Sequence, residues 1–86
     1  MTDEEILIID LEMTCCEDGS FPKDEMEIIQ IGAVKMSPIN FEITSFCMSF
    51  VRPILHPNLS SFCKDLTGIS QGTVDASQPF GTMSAV

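Results

Sequence analysis

Two carboxylates lie close together at the end of the most hydrophobic run of this sequence. The run ILII covers residues 6–9, and Asp10 and Glu12 follow it with one leucine between them. Because side chains alternate along a strand, the two acids are expected to point to the same face. Two like charges this close repel each other, and a divalent cation such as Mg²⁺, which prefers oxygen ligands, relieves the repulsion. The pair is therefore a candidate for two-metal phosphoryl transfer, and the alternative is that the acids mark the solvated end of a strand.

The other residues that could ligate a metal show no comparable pattern. The four cysteines have neither CxxC spacing nor a partnering pair of histidines, which argues against a zinc site. In a reducing cytosol they are expected to be free thiols. The single histidine, His56, is expected to be a loop residue. The segment EDGS at residues 17–20 resembles a calcium-binding loop only at Glu17 and Asp18. The ligand spacing therefore argues against a calcium site, which is a further alternative for this acidic chain. The cysteines are Cys15, Cys16, Cys47 and Cys63.

Three apolar segments predict the strands that would carry these residues, at about residues 6–11, 26–36 and 41–52. The first is a continuous apolar run typical of a buried strand, and the second is apolar on both faces, as in a central strand. The third alternates, with Phe46, Met48 and Phe50 on one face. The turn SPIN at residues 37–40 is short, so the second and third strands are predicted to form an antiparallel hairpin, and the first pair is expected to be antiparallel as well.

After Pro53 the apolar period becomes helical. The spacing predicts a helix over about residues 59–66, with Asn58 or Ser60 as its cap and Gly68 at its end. Ser70 can open a second short helix over about residues 70–76, which Gly72 weakens. One helix can cover only one face of a three-stranded sheet, so this α/β fold looks unfinished. The helical face is formed by Leu59, Phe62, Cys63 and Leu66.

Length and charge limit the classes of function. The chain has 86 residues and a net charge of −9 with only four cations, so it is one small domain without the basic footprint of a nucleic-acid-binding protein. Any nucleic-acid contact must be local, assisted by a metal, or supplied by residues outside this sequence. No apolar run approaches the ~20 residues of a membrane helix. The acidic start MTDEE is unlike a secretory signal, so the cytoplasm is the expected location.

Several separate motifs carry a resemblance to a known family. The segment ILIIDLEMTCCEDGSFPKDEMEIIQIGAV resembles the opening of the DEDDh-type 3′→5′ exonucleases of the RNase H-like superfamily. FVRPILHPNLSSFCKDLTGI and VDASQPF follow in the same order, so the likeness extends from residue 6 to about residue 80. It is greatest to the ERI-like branch, which trims RNA 3′ ends, although DLEMT by itself also resembles oligoribonuclease.

The resemblance implies a fold and a set of site residues. It implies an RNase H-like α/β domain whose first three strands form an antiparallel meander, the arrangement that the strand pattern also predicts. It implies that Asp10 and Glu12 are catalytic, as the first two ligands of a site for two Mg²⁺ or Mn²⁺ ions. Ordinary core packing is an equal expectation for the apolar Leu66 and Ile69. The residues implied to contact the 3′-terminal nucleotide of RNA or another single-stranded nucleic acid are Met13, Thr14, Thr67, Gly68 and Ile69.

The sequence departs from the family pattern toward its C-terminus. The family's two further acids and its general-base histidine come from later segments, His56 does not match the catalytic position, and GTMSAV leaves the pattern. We therefore expect residues 1–86 to form a single, truncated exonuclease domain with little or no activity alone. A second interpretation is a non-catalytic remnant that pairs through an open edge of its first strand, with itself or with another chain.

Overall fold

The computed structural model describes residues 4–83 of the chain. Three strands form one antiparallel sheet in the order β1-β2-β3, and short helices follow the last strand. This meander confirms the predicted fold class. The strands are β1 (Ile6–Met13), β2 (Ile28–Met36) and β3 (Ile43–Phe50); the helices are α1 (Ser61–Thr67), α2 (Gln71–Asp75) and α3 (Phe80–Met83), with one 3₁₀ turn at Lys23–Glu25. Within residues 4–83, no helix has the length and apolar character needed to cross a membrane.

The strands differ from their predicted bounds for local reasons. β1 continues two residues further, to Met13, because its pairing with β2 resumes after a bulge that follows Glu12. β2 begins at Ile28 rather than Met26, whose N–H is bonded to the carbonyl of Lys23 in the 3₁₀ turn. β3 begins at Ile43 rather than residue 41, since Phe41 has a left-handed φ of 58°, which belongs to the turn.

Two serines and one glycine set the limits of the helices. The Oγ of Ser60 accepts a hydrogen bond from the N–H of Cys63, at 3.0 Å, so α1 begins at Ser61 rather than residue 59. Gly68 ends the helix in the left-handed region, with φ of 74°, and its N–H donates to the carbonyl of Lys64. Ser70 caps α2 in the same way as Ser60 caps α1. The third helix, α3, was not predicted.

The core lies at the end of the sheet where β1 ends, β2 begins and the helices pack. It is small, and only two members of the predicted helical face belong to it, Leu59 and Cys63. Phe62 is 36 % exposed and Leu66 is 66 % exposed, so the predicted apolar helical face is buried only at its other two members. A helix of two turns at the end of a sheet contacts the core along one narrow edge. The buried cluster is Ile29, Leu59, Cys63, Ile69 and Val74, with Cys15 and Phe50 packed against it.

The apolar run of β1 is exposed, which corrects the prediction of a buried strand. Leu7 and Ile9 on one face are 57 % and 58 % exposed, and Ile8 on the other face is 47 % exposed. The helices lie beyond the end of the sheet instead of covering its face, and the molecule measures 51 × 27 × 23 Å. β1 is also an edge strand, with β2 on one side and no strand on the other among residues 4–83.

Candidate metal and nucleotide site

The two carboxylates of the sequence motif lie near the end of β1. Asp10 is exposed and Glu12 is half-buried. In the register with β2, Asp10 lies opposite Gly32 and Glu12 lies opposite Gln30. Opposed residues in an antiparallel pair share a face, so both acids lie on one face of the sheet. Gly32 has no side chain to cover Asp10; a Cβ added there would lie 3.8 Å from the Asp10 carbonyl oxygen.

This donor set fits a divalent cation in its chemistry. Exposed carboxylate oxygens on a paired strand are the ligands that Mg²⁺ and Mn²⁺ prefer, and one or two carboxylates are the usual protein contribution. Within residues 4–83, no group of three or more His, Cys, Asp or Glu side chains is arranged to hold a metal ion. Asp10 and Glu12 can therefore form only part of a metal site.

Thr14 connects the end of β1 by hydrogen bonds to the segment that precedes β2. Its N–H donates to the carbonyl of Glu27 at 2.8 Å, and the N–H of Glu27 donates to its Oγ1 at 2.9 Å. Its side chain is only 3 % exposed. The hydroxyl oxygen thus serves the fold, and a direct contact of Thr14 with a nucleotide stays a prediction. Its neighbour Met13 is half-buried and lines a cleft of about 290 Å³ together with Ile28 and Phe80.

Helix α1 is attached to the same end of β1. The hydroxyl of Ser60 donates to the carbonyl of Cys15 at 2.7 Å. The thiol of Cys63 donates to the carbonyl of Met13 at 3.7 Å. The segment that bears the carboxylates and the helix that leads to Thr67 are therefore held together by direct bonds.

The three predicted nucleotide contacts at the C-terminal end of α1 have different environments. Gly68 is exposed, and its backbone is accessible. Thr67 is half-buried; its Oγ1 donates to the carbonyl of Cys63 at 2.8 Å and accepts the N–H of Ile69 at 3.1 Å. Ile69 is 5 % exposed and belongs to the core, whereas Leu66 is exposed. Core packing, the alternative for both apolar residues, thus applies to Ile69 and not to Leu66.

Glu27 is a residue that sequence reasoning missed. Its carboxylate accepts hydrogen bonds from three consecutive backbone N–H groups: Ile54 at 2.8 Å, Leu55 at 2.8 Å and His56 at 3.1 Å. In the sequence it is one acid among several, and the only signal is its place directly before an apolar strand. Its partners lie 27 to 29 residues further along the chain, a distance that no local pattern connects.

His56 lies in a loop, as expected. Its Nε2 lies 2.8 Å from Oε1 of Glu25, and its ring stacks on Phe21 with the ring centroids 4.2 Å apart. These contacts attach the loop before α1 to the segment before β2. Its ring is engaged in packing the two loops together.

Asp18 belongs to a local turn. The N–H and hydroxyl of Ser20 both donate to Oδ1 of Asp18, and these bonds lower the pKa of its carboxyl group. Gly19 between them has a left-handed φ of 74°. The bonds inside the EDGS segment are those of an Asx turn.

Cys15, which follows Thr14, has a thiol of low reactivity at neutral pH. Burial raises the pKa of the Cys15 thiol to about 11, and its hydrogen bond with Cys63 and the nearby charge of Glu12 act in the same direction. The thiol is therefore neutral at pH 7 and adds no charge beside the carboxylates. All four cysteines are free thiols, as expected.

The RNase T family model, described as exonuclease, matches residues 7–85. The chain belongs to this exonuclease family. It is 45 % identical over 76 residues to ERI1 exoribonuclease 2 of Xenopus laevis, with 88 % of this chain and 11 % of that protein covered. It is 43 % identical over 75 residues to the 3′-5′ exonuclease eri1 of Schizosaccharomyces pombe, with 87 % and 25 % covered. The exonuclease chain thus spans from about a tenth to a quarter of the length of these relatives.

Solved structures extend the likeness to three dimensions. The nuclease domain of 3′hExo, a DEDDh family member bound to rAMP, matches with a TM-score of 0.82 and 38 % identity, over 94 % of this exonuclease chain and 40 % of that domain. Cell-death related nuclease 4 matches with a TM-score of 0.80 and 29 % identity, over 94 % of this chain and 27 % of that one. The predicted resemblance to the ERI-like DEDDh exonucleases is confirmed, and the chain covers part of such a domain. This family generally uses divalent metals.

Proposed function

We propose that this chain is part of a metal-dependent 3′→5′ exonuclease that acts on the 3′ ends of RNA or of another single-stranded nucleic acid. Asp10 and Glu12 would hold Mg²⁺ or Mn²⁺. Their common face on β1, beside the bonds that attach α1, is the observation that supports this function. The 3′-terminal nucleotide would lie beside Met13, Thr14, Thr67, Gly68 and Ile69. Its direct contacts would come from Met13, Thr67 and Gly68, because Thr14 and Ile69 are buried.

Each segment of the chain has a separate task in the proposed reaction. Asp10 and Glu12 would hold the metal, which would provide an activated water and stabilisation of the leaving oxygen. Asp10 and Glu12 contribute oxygen ligands from a strand whose ladder with β2 fixes their spacing. Gly68 exposes its backbone, which lets a nucleotide approach closely. The turn at Thr67 and Gly68 is fixed by hydrogen bonds to Cys63 and Lys64, so little conformational entropy would be lost on binding.

The substrate class follows from the relatives and from charge. A structure of one similar 3′-exonuclease describes recognition of the 3′ end of a histone mRNA stem-loop. For this chain RNA 3′ ends are the proposed substrate. Its net charge of −9 means that contacts to phosphate must be local, assisted by the metal, or supplied by residues outside this sequence. The cytoplasm is the proposed location, where the four free thiols would stay reduced.

Metal binding tests this function in the chain as it exists. Substituting Asp10→Asn or Glu12→Gln is expected to weaken Mn²⁺ binding by about tenfold or more, because each removes one of few oxygen ligands. Electron paramagnetic resonance of free Mn²⁺ measures the affinity. The matched control is Glu42→Gln, which removes an exposed acid just before β3. Equal Mn²⁺ affinity in the native chain and the Asp10→Asn variant would contradict the proposal.

We expect the 86 residues alone to release little or no nucleotide from a 3′-labelled single-stranded RNA in Mg²⁺ or Mn²⁺. No third ligand joins Asp10 and Glu12 within residues 4–83, and the ring of His56 stacks on Phe21 while its Nε2 meets the Glu25 carboxylate. Robust release that Asp10→Ala abolishes would show that the chain is catalytically complete.

A second candidate function is supported by the exposed edge of β1. A non-catalytic exonuclease remnant could pair through this edge with a second copy of itself. Leu7 and Ile9 are exposed there, and no strand covers the edge among residues 4–83. The mass of the chain in solution distinguishes this candidate from a monomeric part of an enzyme.

A further inference from the structure

The carboxylate of Glu27 holds the loop between β3 and α1 by its backbone. Oε2 accepts the N–H of Ile54, and Oε1 accepts the N–H groups of Leu55 and His56. Three donors to two oxygens use the acceptor capacity that only a carboxylate has among side chains of this length. Bonds to a charged acceptor are about twice as strong as neutral ones.

The backbone of the same residue holds the end of β1. Two backbone groups of Glu27 form hydrogen bonds with Thr14. The Glu27 carbonyl accepts the Thr14 N–H, and the Glu27 N–H donates to Thr14 Oγ1. Thr14 follows Glu12 and Met13, which carry the proposed metal and nucleotide contacts. Glu27 is thus bonded to the carboxylate strand through its main chain and to the loop before α1 through its side chain.

We propose that Glu27 is a positioning residue for the nucleotide site. It makes the end of β1 and the segment that leads to Thr67 and Gly68 move as one unit. This inference rests on the proposed function, since it assigns a nucleotide to these two segments. The proposed role of Glu27 is to hold these two segments, since its carboxylate is bonded to three backbone N–H groups.

Glu25 provides a matched control on the same segment. It carries the same charge two residues away, but its carboxylate meets the ring of His56 and no backbone N–H. Glu25→Gln keeps an oxygen that can accept from this ring. Glu27→Gln keeps one acceptor oxygen of two, so it must lose the bond to Ile54 or the bonds to Leu55 and His56.

Amide hydrogen exchange on the complete chain, followed by NMR, tests the coupling. Glu27→Gln is expected to speed exchange by about tenfold or more at Ile54, Leu55 and His56, and also at the amides of Thr14 and Cys63. Glu25→Gln is expected to leave Thr14 and Cys63 unchanged. Faster exchange confined to residues 54–56, with Thr14 and Cys63 still protected, would overturn the proposal.

A second variant keeps the test valid if the Glu27→Gln chain does not fold. Thr14→Val removes the hydroxyl that accepts the Glu27 N–H and leaves the Glu27 carboxylate in place. It should speed amide exchange at Ile54, Leu55 and His56, because the coupling runs through Glu27 in both directions. Unchanged exchange at these three loop amides in the Thr14→Val chain would overturn the coupling.

Adenosine 5′-monophosphate with Mg²⁺, a diamagnetic ion that allows amide shifts to be read, separates this inference from the proposed function. If the native chain shows no shift at Met13 and Gly68 on addition of the nucleotide, the proposed function fails and the exchange data still decide the role of Glu27. If the nucleotide binds, Glu27→Gln should weaken it by about tenfold at a temperature where the chain is folded, and Glu25→Gln should not. Equal nucleotide affinity in the native chain and the Glu27→Gln variant would contradict a positioning role.

Discussion

Asp10 and Glu12 are accessible, and the strand that bears them is fixed. Their backbone is held in the ladder with β2, while Gly32 leaves the surface beside Asp10 open. An ion that binds there would not have to order the strand first, so less binding energy would be lost to entropy. The bonds from Thr14 to Glu27 extend this order by one residue past the strand.

Cys15 reports on the attachment of α1. Its thiol pKa is raised from 9.0 to about 11, chiefly by burial. A raised thiol pKa favours the folded chain below pH 9, and this contribution is lost as the pH rises through about 11. We expect alkylation of Cys15 by iodoacetamide to rise about tenfold per pH unit above pH 9, because only the thiolate reacts. Peptide mass spectrometry over a pH series measures the rate.

Cys63→Ala is the informative variant for this measurement. It removes the thiol that is bonded to Cys15, so the rise in alkylation should move to lower pH. A rate for Cys15 that already levels off at pH 9 in the native chain would mean that the thiol is not held against α1.

At the scale of single residues, the sequence predicts the face on which a side chain lies wherever strand periodicity alone determines it. Asp10 and Glu12 were predicted to share a face because strand alternation alone determines it, and the register is consistent with this. The roles of Thr14 and Glu27 were not predictable, since each depends on a partner brought near by the fold. Nothing in the sequence indicates that the Thr14 side chain forms a hydrogen bond with the backbone of residue 27.

At the element scale, two glycines give opposite expectations for the same substitution. Gly68 has φ of 74°, and Gly72 lies inside α2; an added Cβ meets nothing within 4 Å at either position. Gly68→Ala should therefore destabilise the fold by about 1–2 kcal/mol through backbone strain alone. Gly72→Ala should stabilise it by about 0.5–1 kcal/mol, because alanine loses less entropy in a helix. Urea unfolding measures both free energies, and two changes of the same sign would contradict this account.

The helices show which features of an element are local. Ser60, Gly68 and Ser70 were predicted as boundaries because capping depends on bonds within a few residues. The exposure of Phe62 and Leu66 was not predictable, since the face that a helix buries depends on where it packs against the sheet. The i, i+3, i+4 pattern says that a face is apolar and not that it is covered.

At the scale of the whole molecule, the apolar sheet predicts association. We expect the mass measured by light scattering to increase with concentration, through pairing at the edge of β1. Leu7→Lys places a charge on this strand and should keep the chain monomeric. Ile39→Lys, at a site 79 % exposed in the turn between β2 and β3, is the matched control and should behave as the native chain does. A native chain that stays monomeric at all concentrations would count against the interaction module.

The position of the core belongs to this scale as well. The sequence predicts three strands and a helix, and it predicts that one helix leaves apolar surface uncovered. It does not predict that the helices lie beyond the sheet, because their place is set by bonds such as those from Ser60 to Cys15 and from Cys63 to Met13. These connect residues 45 and 50 positions apart.

The helices at the end of the sheet also give the molecule an unusual hydrodynamic character. Its radius of gyration is 15.5 Å, whereas a compact chain of this length would have about 12 Å. With a longest dimension of 51 Å against 27 Å and 23 Å, it experiences more friction than a sphere of equal mass and tumbles faster about its long axis than across it. A single copy should therefore leave a gel-filtration column early, at the volume of a larger globular protein. NMR relaxation rates should likewise depend on whether an amide bond lies along the long axis or across it.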